Sequence, residues 1–175
     1  MDTLYAKVAG TLTVDANAGS DMLSCNNDPV LIGGASIPGL AYSWKPSQGL
    51  SDPAISNHLA NPGSATNYIL TVNSSGGGCI NHDTGFINKS FVDDSLQVIG
   101  NLNYCVGNGD SPVLQVQQAD SIQWFRENIV INGANQTTYK PTQTGEYYAA
   151  LFNKDGCHVL TVEAGPGWNK RIPIL

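Results

Sequence analysis

The chain has 175 residues, 41% of them hydrophobic and 13% charged, and a formal net charge of −6. This composition is too apolar for a disordered acidic tail, and no apolar run is long enough to span a bilayer. The 8 lysines and arginines are scattered, whereas a nucleic-acid-binding surface needs a basic stripe that displaces counterions from phosphates. We therefore expect no nucleic acid partner, no anionic membrane surface as partner and no membrane insertion.

Short runs of β-branched and aromatic residues alternate with turn formers along the chain, which contains 19 glycines and 9 prolines. Such runs, bounded by turn signals at intervals of about eight to twelve residues, are typical of a β-sandwich. No helix-period pattern with caps interrupts them. The predicted strands are, in chain order, 12–14, 30–32, 41–44 and 68–72 in the first half and 113–116, 121–125, 147–152 and 158–162 in the second.

The spacing of cysteine and tryptophan indicates a duplicated unit. Cys25 precedes Trp44 by 19 positions, and Cys105 precedes Trp124 by the same 19. Each half then has a second cysteine that follows a glycine and a tyrosine, namely Cys79 after Tyr68 and Cys157 after Tyr147. Agreement at all of these positions predicts two repeats of about 80 residues each.

Four widely separated cysteines favour two disulfides over a metal site, whose cysteines usually stand about two to four residues apart. Disulfides imply an oxidising compartment. Because duplicated units should close in the same way, the sequence predicts the pairs Cys25–Cys79 and Cys105–Cys157. Each bridge would close a loop of roughly 50 residues and stabilise a small core by roughly 4 kcal/mol.

We place the domain boundary in the acidic stretch after Phe91. Residues 1–93 form the first predicted domain, with an N-terminal extension 1–10, and residues 94–175 form the second, with a C-terminal extension 166–175. The short linker predicts a stiff pair. Both extensions carry apolar residues, and open sheet edges accept an added strand. Self-association through an N- or C-terminal strand is therefore one expectation, and folding back onto the same domain is the other.

Several short motifs in the first repeat, YSWKP at 42–46, GLS at 49–51, ANP at 60–62, YILTV at 68–72 and GC at 78–79, occur in a set order. Together they resemble the immunoglobulin-like, PKD-like repeats of large cell-surface and secreted proteins of Bacteroidota. The second repeat carries QWF at 123–125, INGA at 131–134, TY at 138–139, GEY at 145–147 and GC at 156–157. It is similar to the Ig-like domains that commonly sit beside those repeats.

The resemblance covers residues 14–164 and implies an all-β protein of two tandem immunoglobulin-like β-sandwich domains, with one disulfide each. It implies that Trp44 and Trp124 are buried on a central strand and that Tyr68 and Tyr147 are core residues at a strand corner. In antibody domains the second cysteine lies two residues after that tyrosine. Here it lies ten or eleven residues after, so the bridges are expected to pin a strand end or loop.

The side chains that catalysis or metal binding would need are dispersed. The histidines, His58, His82 and His158, fall in predicted loops or beside a cysteine, whereas hydrolysis by a nucleophile needs a histidine within reach of it. We therefore expect no enzyme, no cofactor and no metal. A calcium ion held by Asp15 and Asp21 is the alternative that carboxylate chemistry leaves open.

The function that these observations favour is a non-enzymatic extracellular structural or adhesive module. It would be a subunit or spacer of a surface fibre, appendage or adhesin, located outside the cell or at its surface. Trp168 lies outside both repeats and is the predicted exposed contact for a surface glycan or protein. The alternatives are a carbohydrate-binding module of a secreted protein and a virion or tail-fibre protein of a phage. No signal peptide is visible in this chain, which leaves the export route open.

Overall fold

The computed structural model describes residues 13–76, 78–102, 111–163 and 172–174. The chain divides into two compact units, Met1–Lys89 and Ser90–Leu175. Every regular element in the described ranges is a β-strand. Correspondingly, none of these residues belongs to a helix that could cross a membrane.

The described residues of the first unit form six strands in two sheets. In chain order they are β1 (Met22–Cys25), β2 (Val30–Gly33), β3 (Leu40–Lys45), β4 (Asn57–Ala60), β5 (Thr66–Ser74) and β6 (Ile80–Ser90). One sheet has the order β1-β6-β5-β3, and the other consists of β2 and β4. An immunoglobulin-like sandwich divides its strands in this way, with the C, F and G strands in one sheet and B and E in the other.

The core of the first unit lies between these sheets. Side chains of a strand alternate between its two faces, and in β5 the residues Tyr68, Leu70 and Val72 are all buried. Apolar residues of the other strands and of the segment before β1 complete the cluster, namely Ala18, Ile32, Trp44, Ala60 and Ile87.

The second unit repeats the architecture, with nine strands in the part of it that the structure describes. They are β7 (Ser95–Ile99), β8 (Val113–Val116), β9 (Ser121–Arg126), β10 (Ile129–Val130), β11 (Thr138–Tyr139), β12 (Gly145–Phe152), β13 (His158–Leu160), β14 (Val162–Glu163) and β15 (Ile172–Ile174). One sheet has the order β10-β9-β12-β13, with β15 also pairing β12, and the other has the order β11-β8-β7-β14. The buried residues include Leu96, Leu114, Ile122, Trp124 and Leu151.

The two units begin differently. In the second unit β7 pairs with β8. In the first, the segment before β1 lies along β6: the Ala18 N–H donates to Asp83 Oδ2 at 2.8 Å, and Asn81 Nδ2 donates to the Val14 oxygen at 3.1 Å. The predicted strand at 12–14 is not a strand over its described residues, because these side-chain bonds replace a backbone ladder there.

The C-terminal extension contributes a strand to its own unit. β15 pairs antiparallel with the start of β12, with Ile172 opposite Tyr147 and Ile174 opposite Gly145. Residues 172–174 therefore pair with a strand of their own unit. Residues 1–10 lie outside the described ranges.

The disulfide predicted for the first unit is wrong. The Lys89 Nζ donates to the Ser24 Oγ at 3.0 Å, so Cys25 lies beside the last residues of β6, whereas Cys79 immediately precedes the first residue of that strand. A strand of this length spans about 30 Å, and a disulfide requires Cα atoms within about 7 Å of each other. Cys25 is disulfide-bonded, but it cannot reach Cys79.

In the second unit Cys157 is disulfide-bonded and fully buried. Its Sγ lies 4.0 Å from the Ser90 carbonyl oxygen. Its predicted partner, Cys105, lies outside the described residues.

Candidate functional site

The two repeat tryptophans occupy matched positions inside the sandwiches. Trp44 on β3 and Trp124 on β9 are 2% and 0% exposed. Each indole N–H donates to a backbone oxygen of the same unit, that of Ile55 at 3.0 Å and that of Gln136 at 2.8 Å. Buried and fixed in this way, neither ring offers a face on which a sugar could stack.

The two core tyrosines fix strand corners. Tyr68 and Tyr147 are 0% and 1% exposed. The Tyr68 hydroxyl donates to the Gln48 carbonyl at 2.7 Å, and that of Tyr147 donates to the Gln143 carbonyl at 2.8 Å. A tyrosine near the start of the F strand whose hydroxyl bonds to upstream backbone is a hallmark of immunoglobulin sandwiches.

Burial raises the pKa of the Tyr68 hydroxyl above its ordinary value of 10.0. The unfolded chain therefore loses this proton at a lower pH than the folded chain, so the stabilisation by Tyr68 is complete below pH 10 and falls as the pH rises through the raised pKa. Tyr68→Phe should cost about 1 kcal/mol near neutral pH because the Gln48 bond is lost. Urea unfolding at a series of pH values should show that gap closing above about pH 10; a constant gap would contradict this assignment.

The histidines lie in strands rather than in the predicted loops, because pairing with neighbouring strands overrides their weak local pattern. His58 on β4 is 3% exposed, its Nδ1 lies 2.6 Å from the Asp52 carbonyl oxygen, and its ring packs 5.0 Å from that of Trp44. His82 on β6 bonds to the Thr71 hydroxyl at 2.9 Å. His58 therefore belongs to the core, and His82 forms an exposed side-chain bond between β5 and β6.

Asp21, one of the two carboxylates considered for calcium, and Asp93, in the acidic stretch after Phe91, each bind a backbone N–H group. Asp21 Oδ1 accepts from the Phe86 N–H at 3.1 Å, which joins the segment before β1 to β6. Asp93 Oδ1 accepts from the Ser95 N–H at 2.9 Å, and this bond lowers the pKa of Asp93. Within the described ranges no three His, Cys, Asp or Glu side chains converge on a point where they could hold a metal ion.

One cleft in the second unit combines an apolar rim with a cation. Its volume is about 330 Å³, and it lies between β10, the edge of one sheet, and β11, the edge of the other. Sequence reasoning did not identify it, although four consecutive lining residues follow the β9–β10 turn. Its lining includes Arg126, Ile129, Val130, Asn132, Tyr139 and Gln143. We call it the β10 cleft.

The turn that forms the β10 cleft has a clear local cause. Glu127 and Asn128 connect β9 to β10 with φ values of 50° and 65°, the left-handed geometry of a two-residue hairpin turn. The Glu127 Oε1 accepts from the Glu146 N–H at 2.8 Å, which ties the turn to β12. The carboxylate of Glu127 is thus bound to backbone, and it makes no ion pair with Arg126 within the described part of the chain.

The strand orders, the buried tryptophans and the tyrosine corners together define a protein of two tandem immunoglobulin-like β-sandwich domains, which confirms the predicted all-β class and the tandem sandwich architecture. The predicted exposed contact, Trp168, lies outside the described residues.

Neither a family model nor a curated protein matches the chain. Among solved structures, tandem Ig domains of titin are similar with a TM-score of 0.33 at 10% identity, covering 84% of this chain and 93% of that one. The N-terminal four Ig domains of Dscam1 give 0.33 at 10% identity, covering 87% and 48%. Extracellular domains 3–5 of Drosophila OTK give 0.32 at 13% identity, covering 86% and 63%. With scores this low, the assignment depends on the strand topology.

Proposed function

We propose that the chain is an extracellular structural or adhesive module, a subunit or spacer of a surface fibre, appendage or adhesin. The main observation behind the proposal is that polar side chains which could act in catalysis bond instead to the backbone. Asp21, His58 and Asp93 all bond to backbone groups of their own unit. Aspartate and histidine are common catalytic residues, but in this protein these side chains hold strands and turns together.

Two further features support this role. Cys25 and Cys157 are disulfide-bonded, and such bonds persist mainly in oxidising compartments outside the cytosol. The motif resemblance to the PKD-like and Ig-like repeats of Bacteroidota surface proteins gives the same location. A sandwich fold hosts many functions, so the proposal depends on these features and not on the fold alone.

Immunogold electron microscopy of the source cells tests the location. An antibody raised against the purified chain should label intact cells, along fibres or at the surface, without permeabilisation. Label that appears only after permeabilisation would contradict the proposal, and label confined to virions would favour the phage alternative. Preimmune serum on the same grids is the control.

A further inference from the structure

The edge beside the β10 cleft is open to an added strand. Among the described residues β10 pairs only with β9, on one side. Its two residues, Ile129 and Val130, are 70% and 46% exposed. An unpaired strand edge offers a row of N–H and C=O groups to an extended peptide, and apolar side chains along it add contact area.

A positive charge lines the same cleft. Arg126 is half-buried, and its guanidinium makes no hydrogen bond or ion pair with any residue that the structure describes. A guanidinium is matched best by a carboxylate, which can accept two parallel N–H bonds. Arg126 and Ile129 are cross-strand partners and share one face of the sheet, whereas Val130 points to the other. An extended peptide that alternates acidic and aliphatic residues can therefore place its carboxylates on the face of Arg126 and its apolar side chains along Val130.

The two aromatic residues that line the cleft, Tyr139 and Tyr147, favour a ligand other than a sugar. The Tyr139 ring lies 5.7 Å from that of Trp124 and 5.7 Å from that of Tyr147. Tyr139 is half-buried against these rings and Tyr147 is 1% exposed, so neither is a fully exposed ring of the kind that a carbohydrate platform needs. The open edge of β10, the positive charge of Arg126 and the packing of the tyrosine rings therefore all favour an extended peptide as the ligand.

We propose that the β10 cleft binds an extended acidic peptide segment of a partner protein, which adds to β10 as a strand and pairs a carboxylate with Arg126. This inference deepens the adhesive role proposed above and rests on it. Immunogold microscopy tests the location of the protein, and peptide titration tests the specificity of the cleft. Either proposal can therefore be contradicted without affecting the other.

Nuclear magnetic resonance titration of the full chain tests the cleft with two probes. They are the peptide Val-Glu-Ile-Glu-Val with blocked ends and the same peptide with glutamine in place of glutamate. The acidic peptide should shift the amide signals of residues 129–132 and bind at least about tenfold more tightly than its neutral counterpart, because a charge-assisted pair is roughly twice as strong as a neutral one.

Two variants make the outcome decisive. Arg126→Gln should bring the affinity for the acidic peptide down to that for the neutral one. Lys154→Gln removes an exposed cation of the same unit, whose side chain is 81% exposed, and should preserve the difference. The proposal is overturned by equal binding of both peptides, by shifts centred away from β10, by an equal loss in Lys154→Gln, or by the absence of any shift.

Discussion

Gly33→Ala should destabilise the first unit by about 3 kcal/mol or more, the sum of backbone strain and overpacking. Gly33 ends β2 with a φ of +84°, a left-handed conformation that costs a residue with a side chain. A Cβ at this position would lie 2.0 Å from the Ser56 carbonyl oxygen and 2.9 Å from Trp44 Cζ2. Both neighbours are fixed, one by backbone and one by burial, so neither can move aside. Urea unfolding, with hydrogen exchange of residues 66–90 to isolate this unit, measures the cost.

Two other glycines separate the causes. Gly39 has a similar φ of +83°, but its added Cβ would have only the Ser75 Oγ at 3.9 Å. Gly39→Ala therefore reports the backbone strain alone, about 1–2 kcal/mol. Gly63 has open space around it, and Gly63→Ala should change the stability by less than about 0.5 kcal/mol. If Gly33→Ala costs no more than Gly39→Ala, the clash with Ser56 is not what makes glycine necessary.

Trp124→Ala should lower the unfolding free energy of the second unit by about 3–5 kcal/mol, as expected for removal of a large core aromatic. The indole is fully buried, packs 5.7 Å from the Tyr139 ring, and donates its N–H to the Gln136 carbonyl at 2.8 Å. Truncation leaves a cavity and removes the donor from that carbonyl. Circular dichroism of the full chain during urea unfolding, combined with hydrogen exchange of residues 145–152, gives the loss.

The matched control is Ile129→Ala. Ile129 belongs to the same unit but is 70% exposed, so its truncation should change the stability by no more than about 0.5 kcal/mol. A cost for Trp124→Ala close to that of Ile129→Ala would mean that the tryptophan does not support the core. Trp124→Phe, which retains an aromatic ring without the N–H donor, should fall between the two.

Sequence patterns located the central strands well. The predicted runs 41–44, 68–72, 121–125 and 147–152 fall within β3, β5, β9 and β12. These strands carry one buried face each, and burial selects apolar residues at every second position. The same alternation, repeated at matched spacing, identified the two tryptophans and the two tyrosines.

β6 is the longest of the described strands. It was not predicted, because its sequence INHDTGFINKS has no regular apolar alternation. It forms because Asn67 and its neighbours on β5 pair with it over eight positions, from Thr66 opposite Ile87 to Asn73 opposite Ile80. His58 was placed in a loop for a similar reason: its burial depends on Trp44 and Asp52, which a local pattern does not reveal.

By itself, the sequence determined the fold class, the duplication and the core aromatics, because a period of two and a repeat are local properties of the chain. Only the tertiary structure decided that Cys25 lies at the far end of β6 from Cys79, that residues 172–174 add to β12, and that Arg126 faces a cleft beside an open edge. Each of these depends on which strand edges meet and in which direction. Contacts between residues that are distant in the sequence determine this pairing, so the spacing of residues along the chain does not reveal it.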